Sequence, residues 1–110
     1  MALHQSSTSG NIKIYRGSDF SRPLLSRNKK TNFPISLIDV IVKGVLIKRS
    51  TYERFPLKIE PINSNNSDFR IIINNIETEK LSIGLYDIHI TKHYKDGTIS
   101  PPAIISIEVV

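Results

Sequence analysis

An all-β fold is the expectation, and three observations carry it. Isoleucine dominates the apolar residues and is joined by valine, threonine, tyrosine and phenylalanine, side chains that suit a pleated surface. Alanine, the best helix former, occurs only at positions 2 and 103. Several segments alternate apolar and polar residues with a period of two between clusters of Gly, Pro, Asn and Asp. With 110 residues the chain is long enough for one domain with its own core. About seven strands at roughly 8 to 15 residue spacing predict a β-sandwich over residues 11–110.

Residues 1–10 are polar, rich in Ser and Thr and without periodicity, so they are expected to form a flexible N-terminal arm. Ile12 and Ile14 alternate with Lys13 and Tyr15 in a first short strand that ends at Arg16-Gly17-Ser18-Asp19. Phe20 to Leu25 is apolar but interrupted by Pro23, which places it at a sheet edge. Arg27, Asn28, Lys29, Lys30, Thr31 and Asn32 read as a solvated loop, after which Pro34, Ile35, Leu37 and Ile38 lead on. Residues 40–48 are the most apolar stretch and the candidate central strand. Gly44 inside it implies a bulge or a close backbone approach, and leaves Ile41, Val45 and Ile47 competing with Val40, Val42 and Leu46 for the core.

Leu57 and Ile59 alternate with Lys58 and Glu60 until Pro61, and the run from Asn63 to Asp68 is turn chemistry throughout. Phe69, Ile71 and Ile73 form the next alternating set, and Glu77 to Leu81 is long enough for one helical turn before Gly84. Tyr86, Ile88, Ile90 and Lys92 alternate with Asp87, His89, Thr91 and His93 in the cleanest half-buried strand. Asp96-Gly97 is the strongest hairpin signal, and Ile105, Ile107 and Val109 alternate with Ser106, Glu108 and Val110 after Pro101-Pro102.

Chemistry is sparse. The chain has no cysteine, which excludes disulfides, thiolate metal sites and a cysteine nucleophile. His89 and His93 would share a face of a strand but stand roughly 13 Å apart, too far for one ion. No Gly-x-Ser-x-Gly occurs, the five glycines at 10, 17, 44, 84 and 97 are isolated, and no carboxylate pair has a distinctive setting. Neither an enzyme nor a cofactor or metal site is therefore expected. Apolar runs stop far short of the ~20 residues that span a bilayer, and residues 1–10 lack the features of a secretory signal.

Charge is more informative. Residues 1–58 carry eleven Lys/Arg against three acids, whereas residues 59–110 carry four against seven, so the net +5 hides a polarity along the chain. The basic candidates for partner contact are Arg27, Lys29, Lys30, Lys48, Arg49 and Arg54. Cations interleave with Tyr52 and Phe55, which keeps nucleic acid or another polyanion open as an alternative partner. Yet no nucleic-acid motif accompanies them, and a charge-polarised molecule is steered better towards charged protein neighbours, in an oligomeric assembly. Tyr15, Tyr52, Phe55 and Tyr94 are too scattered for a carbohydrate-binding face.

Leu81-x-x-Gly84-x-Tyr86-x-Ile88 reads as the corner of an immunoglobulin-like sandwich, with Gly84 making the turn and the Tyr86 hydroxyl bonding back to the backbone. It closes a succession that starts at Arg16-Gly17-Ser18-Asp19-Phe20, passes Pro34-Ile35-Ser36-Leu37 and a strand ending in Lys48-Arg49, and reaches Thr78 before the corner. Over residues 12–110 this order resembles the immunoglobulin-like N-terminal domain of phage upper-baseplate and tail-fibre attachment proteins. Ser18 stands where that family often has an acid. The resemblance implies a non-enzymatic virion protein, made in the host cytoplasm, that joins tail, baseplate or fibre subunits without spanning a membrane. Its contacts would be made by the arm and by exposed strand edges through β-augmentation.

Overall fold

A computed structural model of the protein describes residues 12–25, 27, 30, 31, 33, 37–62 and 68–110. The expected arm over residues 1–10, Lys29, the lead-in at Pro34 and Ile35, and the turn over residues 63–67 lie outside the described residues. Eight strands and one helical turn follow one another: β1 (Ile12–Ile14), β2 (Phe20–Leu25), β3 (Ile41–Lys48), β4 (Arg54–Pro56), β5 (Lys58–Pro61), β6 (Asp68–Ile73), α1 (Asn75–Glu79), β7 (Gly84–His93) and β8 (Ala103–Val109). They make a five-stranded sheet in the order β1-β8-β7-β3-β4 and a three-stranded sheet in the order β2-β6-β5. Every pairing is antiparallel except β1 with β8. The fold is all-β. No helix is long and apolar enough to cross a membrane among the described residues.

One apolar cluster lies between the sheets. Ile14, Leu46, Tyr86, Ile88, Ile90, Ile105, Ile107 and Val109 come from the larger sheet, and Ile71 and Ile73 from the smaller. The alternation read from β6, β7 and β8 holds residue by residue: buried positions are 69, 71, 73, then 86, 88, 90, then 105, 107, 109. Pro23 sits in an edge strand, as its missing N–H requires. Within β3 the competition resolves in favour of Val42 and Leu46, with Gly44 on the same inward side. Here the two sheets approach closely: a Cβ on Gly44 would stand 2.7 Å from the Ile59 Cδ1 and 3.1 Å from those of Leu57 and Ile90. The glycine marks a close approach.

Two elements depart from the expected pattern. The additional strand β4 carries a single half-buried residue, Phe55, whose ring lies 6.0 Å from that of Tyr86. One inward residue in three gives no detectable alternation, so the segment looks like a loop until β3 pairs with it. The helical turn starts at Asn75, two residues before the expected Glu77. Asn74 caps it, its side-chain oxygen accepting from the Glu77 N–H at 2.9 Å, and Asp19 Oδ1 accepts from the Asn75 N–H at 2.7 Å.

That second cap belongs to a larger clamp. The turn Arg16-Gly17-Ser18-Asp19 wraps α1 from end to end: Asp19 holds its first N–H, the Ser18 carbonyl accepts from the buried Thr78 hydroxyl at 2.8 Å, and Arg16 donates to the Glu79 carbonyl at 3.2 Å. Gly17 has a positive φ of 81°, and a Cβ there would stand 2.6 Å from a Glu79 carboxylate oxygen. An isolated five-residue helix is unstable in water. These contacts replace the length it lacks.

Candidate functional site

Gly84, at a positive φ of 147°, opens β7 so that Tyr86 points into the core. The Tyr86 ring is fully buried, and its hydroxyl donates to the Ser82 carbonyl at 2.9 Å. Lys48, one of the sequence candidates, donates to Ser82 Oγ at 2.5 Å and so braces the same corner. Gly84 and Tyr86 are therefore structural residues, and Lys48 is engaged beside them.

The side chains that alternate away from the core make the outer face of the five-stranded sheet, and the strand register sets them in rows. Pro56, Val45, His89 and Ile104 lie side by side across four strands, and Arg54, Ile47, Asp87 and Ser106 form the next row. Lys43 and Thr91 stand on the far side of the first. An open groove of about 340 Å³ runs through this face, lined by the apolar Val45, Ile47 and Pro102 and, interleaved with them, by Lys43, Arg54 and His89. Around it, Ile41 and Ile104 expose 61% and 55% of their surface, far more than a β-branched strand residue needs to.

The charges of this face divide into spent and free. Asp87 receives the Arg49 guanidinium in a fork, with Nε at 3.0 and 3.1 Å and Nη2 at 2.8 Å, and the same Nη2 reaches Ser106 Oγ at 2.8 Å. Arg49 thus ties the turn after β3 to β7 and β8. Hydrogen bonding from Arg49 holds the Asp87 carboxyl below the usual carboxylate range, against the opposing effect of partial burial, and His89 on the same face adds to the positive field. A carboxylate with a depressed folded pKa stabilises above its unfolded pKa of about 3.9, and that stabilisation is lost as pH falls through the folded value. Asp87→Asn is therefore expected to lower the urea midpoint at neutral pH, with the gap from wild type closing below about pH 4. Equal gaps at neutral and acid pH would show that the bridge contributes nothing. By contrast, neither the Lys43 nor the Arg54 side chain makes a hydrogen bond or ion pair among the described residues.

The sequence candidates do not converge. Arg27 pairs with Asp68 at 2.5 Å beside the smaller sheet, and Lys30 is exposed in a nearby turn. Lys48 and Arg49 brace the β7 corner, and Arg54 alone borders the groove. Sequence reasoning missed Lys43, and it weighed His89 for metal rather than as a neighbour of Arg54. The signal was present in the alternation of β3, where Lys43 shares a parity with Ile41, Val45 and Ile47, but only the register across Gly44 turns it outward.

Edge pairing finds a poor template. β1 and β4 have three residues each, β4 and β5 end in Pro56 and Pro61, and β2 has Pro23 at its centre. Short strands and edge prolines are the devices that keep sheets from pairing with other chains. The described edges favour contact through a face over β-augmentation.

One loop of this region is strained. Tyr52, in the turn between β3 and β4, has a φ of +61° and exposes 79% of its surface. A left-handed backbone costs a residue with a Cβ about 1–2 kcal/mol. Tyr52→Gly is expected to raise thermal stability by about 1 kcal/mol, read as an upward shift in the unfolding midpoint; a drop would mean the ring makes a stabilising contact.

Comparison with protein-family models, curated proteins and solved structures finds no match for this chain.

Proposed function

We propose that this chain is an immunoglobulin-like domain that serves as a non-enzymatic structural component of a tailed-phage particle, an adaptor in its baseplate, tail or fibre attachment, and that it binds neighbouring subunits through the outer face of its five-stranded sheet. The observation that carries the contact face is the groove with two unpartnered cations, Lys43 and Arg54, set among exposed isoleucines. Charged groups left without partners beside apolar surface are what a complementary protein neighbour satisfies. Support for the immunoglobulin-like reading comes from the strand orders β2-β6-β5 and β1-β8-β7-β3-β4 and from the Tyr86 hydroxyl on the Ser82 carbonyl. The particle reading is supported by the succession of motifs from Arg16 to Tyr86.

The test is incorporation. Particles assembled with the wild-type chain are expected to hold it at fixed stoichiometry after density-gradient purification, and particles assembled with Arg54→Glu to hold much less of it. Absence of the wild-type chain from particles would overturn the reading. So would tight binding to random duplex DNA that weakens steeply as salt rises, which would favour a polyanion partner.

A further inference from the structure

The groove calls for an acidic, partly apolar occupant, and the chain carries one. Ile76 on α1 exposes 65% of its surface beside Glu77 and Glu79, and neither carboxylate forms an ion pair among the described residues. The turn that presents it is held rigid by Arg16, Ser18 and Asp19, so little ordering cost attends its docking. Within one molecule the two cannot meet. α1 lies by the C-terminal end of β8, where Arg16 N–H bonds the Val110 carbonyl, whereas Val45 and Ile47 of the groove stand level with Ile104 and Ser106, roughly 20 and 13 Å back along that strand and two strands across. Face-to-face pairing of two grooves is disfavoured too, because the free charges on both would be positive.

We propose that copies of this chain associate head to tail, the α1 corner of one copy seating Ile76 against Val45 and Ile47 of the next while Glu77 and Glu79 face its Lys43 and Arg54. This rests on the reading of the groove as a protein-contact face and names its occupant. The contact is heterologous, so it builds rings or open chains instead of closed pairs. One helical turn in a shallow groove is smaller than a standard interface, which sets the expected dissociation constant at about 10–1000 µM. Lys80, the C-cap residue of α1, and Arg16, which bonds the Glu79 carbonyl, oppose the attraction.

Sedimentation velocity of the full chain from about 1 µM to about 1 mM tests this. The wild type is expected to sediment faster as concentration rises, less so in high salt. Arg54→Glu and Ile76→Asp, both at exposed positions, are each expected to weaken association at least about ten-fold, and Lys80→Glu to strengthen it. Arg54→Glu keeps its α1 and Ile76→Asp keeps its groove, so a mixture of the two is expected to form a 1:1 dimer and nothing larger. A monomer at every concentration, association that survives either substitution, or a mixture that fails to pair overturns the proposal. If that happens while Arg54→Glu still fails to enter particles, the contact face stands with a different occupant; if Arg54→Glu enters particles like wild type, the contact face itself falls.

Discussion

Tyr86→Ala is expected to lower stability by about 3–5 kcal/mol, the cost of removing a fully buried aromatic ring from a core that cannot collapse to fill its place. A domain of this size is stable by about 5–15 kcal/mol in total, so the loss is a large fraction of the whole. The ring packs at a tilt against Phe55 and lies in one core with the neighbouring isoleucines, while its hydroxyl closes the turn from Ser82 to Gly84. Tyr86→Phe separates the two roles. It keeps the ring and loses the hydroxyl's hydrogen bonds to the Ser82 carbonyl and Ser82 Oγ, which predicts a loss of about 1–2 kcal/mol. Urea unfolding of both variants is the measurement. Equal losses for Phe and Ala would assign the corner to the hydroxyl and sink the packing argument.

Gly44→Val is expected to cost up to about 3 kcal/mol by overpacking, because it drives three carbons into space already taken by the Ile59, Leu57 and Ile90 side chains. Gly44→Ala should cost much less. The atoms in its way are the Cδ1 methyls of Ile59, Leu57 and Ile90, free ends that can rotate aside, and a strand glycine replaced by alanine recovers about 0.5–1 kcal/mol of chain entropy. Combining Gly44→Val with Ile59→Val removes the nearest of those methyls, so the double variant should be more stable than the sum of the single losses predicts. Strict additivity would mean that the sheets have moved apart and that the close approach is not specific.

The same residue explains how far the sequence can be read. Where one face of a strand is buried and the other is wet, as in β6, β7 and β8, a period of two fixes both strand and facing, and the buried set could be named in advance. Across Gly44 the alternation loses a side chain on one side, so parity on β3 is undetermined until β7 pairs with it and sets Gly44 opposite Ile90. The strand β4 was illegible for a related reason: with Phe55 alone turned inward, its identity as a strand comes from the ladder with β3, not from its own pattern. The motif Arg16-Gly17-Ser18-Asp19 was visible as a turn, but its role was not, since the helix it clamps lies about 60 residues further along the chain.

Local chemistry by itself determined that the chain is all-β, that Pro23 belongs to an edge, that Tyr86 marks a buried corner, and that charge is unevenly divided between the two halves. These follow from propensity, period and proline geometry, which act over a few residues and need no knowledge of neighbours. Tertiary structure decided which charges are paired. Arg27, Lys48 and Arg49 are bonded to Asp68, Ser82 and Asp87, partners 34 to 41 residues distant, whereas Lys43 and Arg54 are left facing a groove. Whether a cation is spent or free depends on which strands lie beside it, and strand order is set by the packing of two sheets on one core.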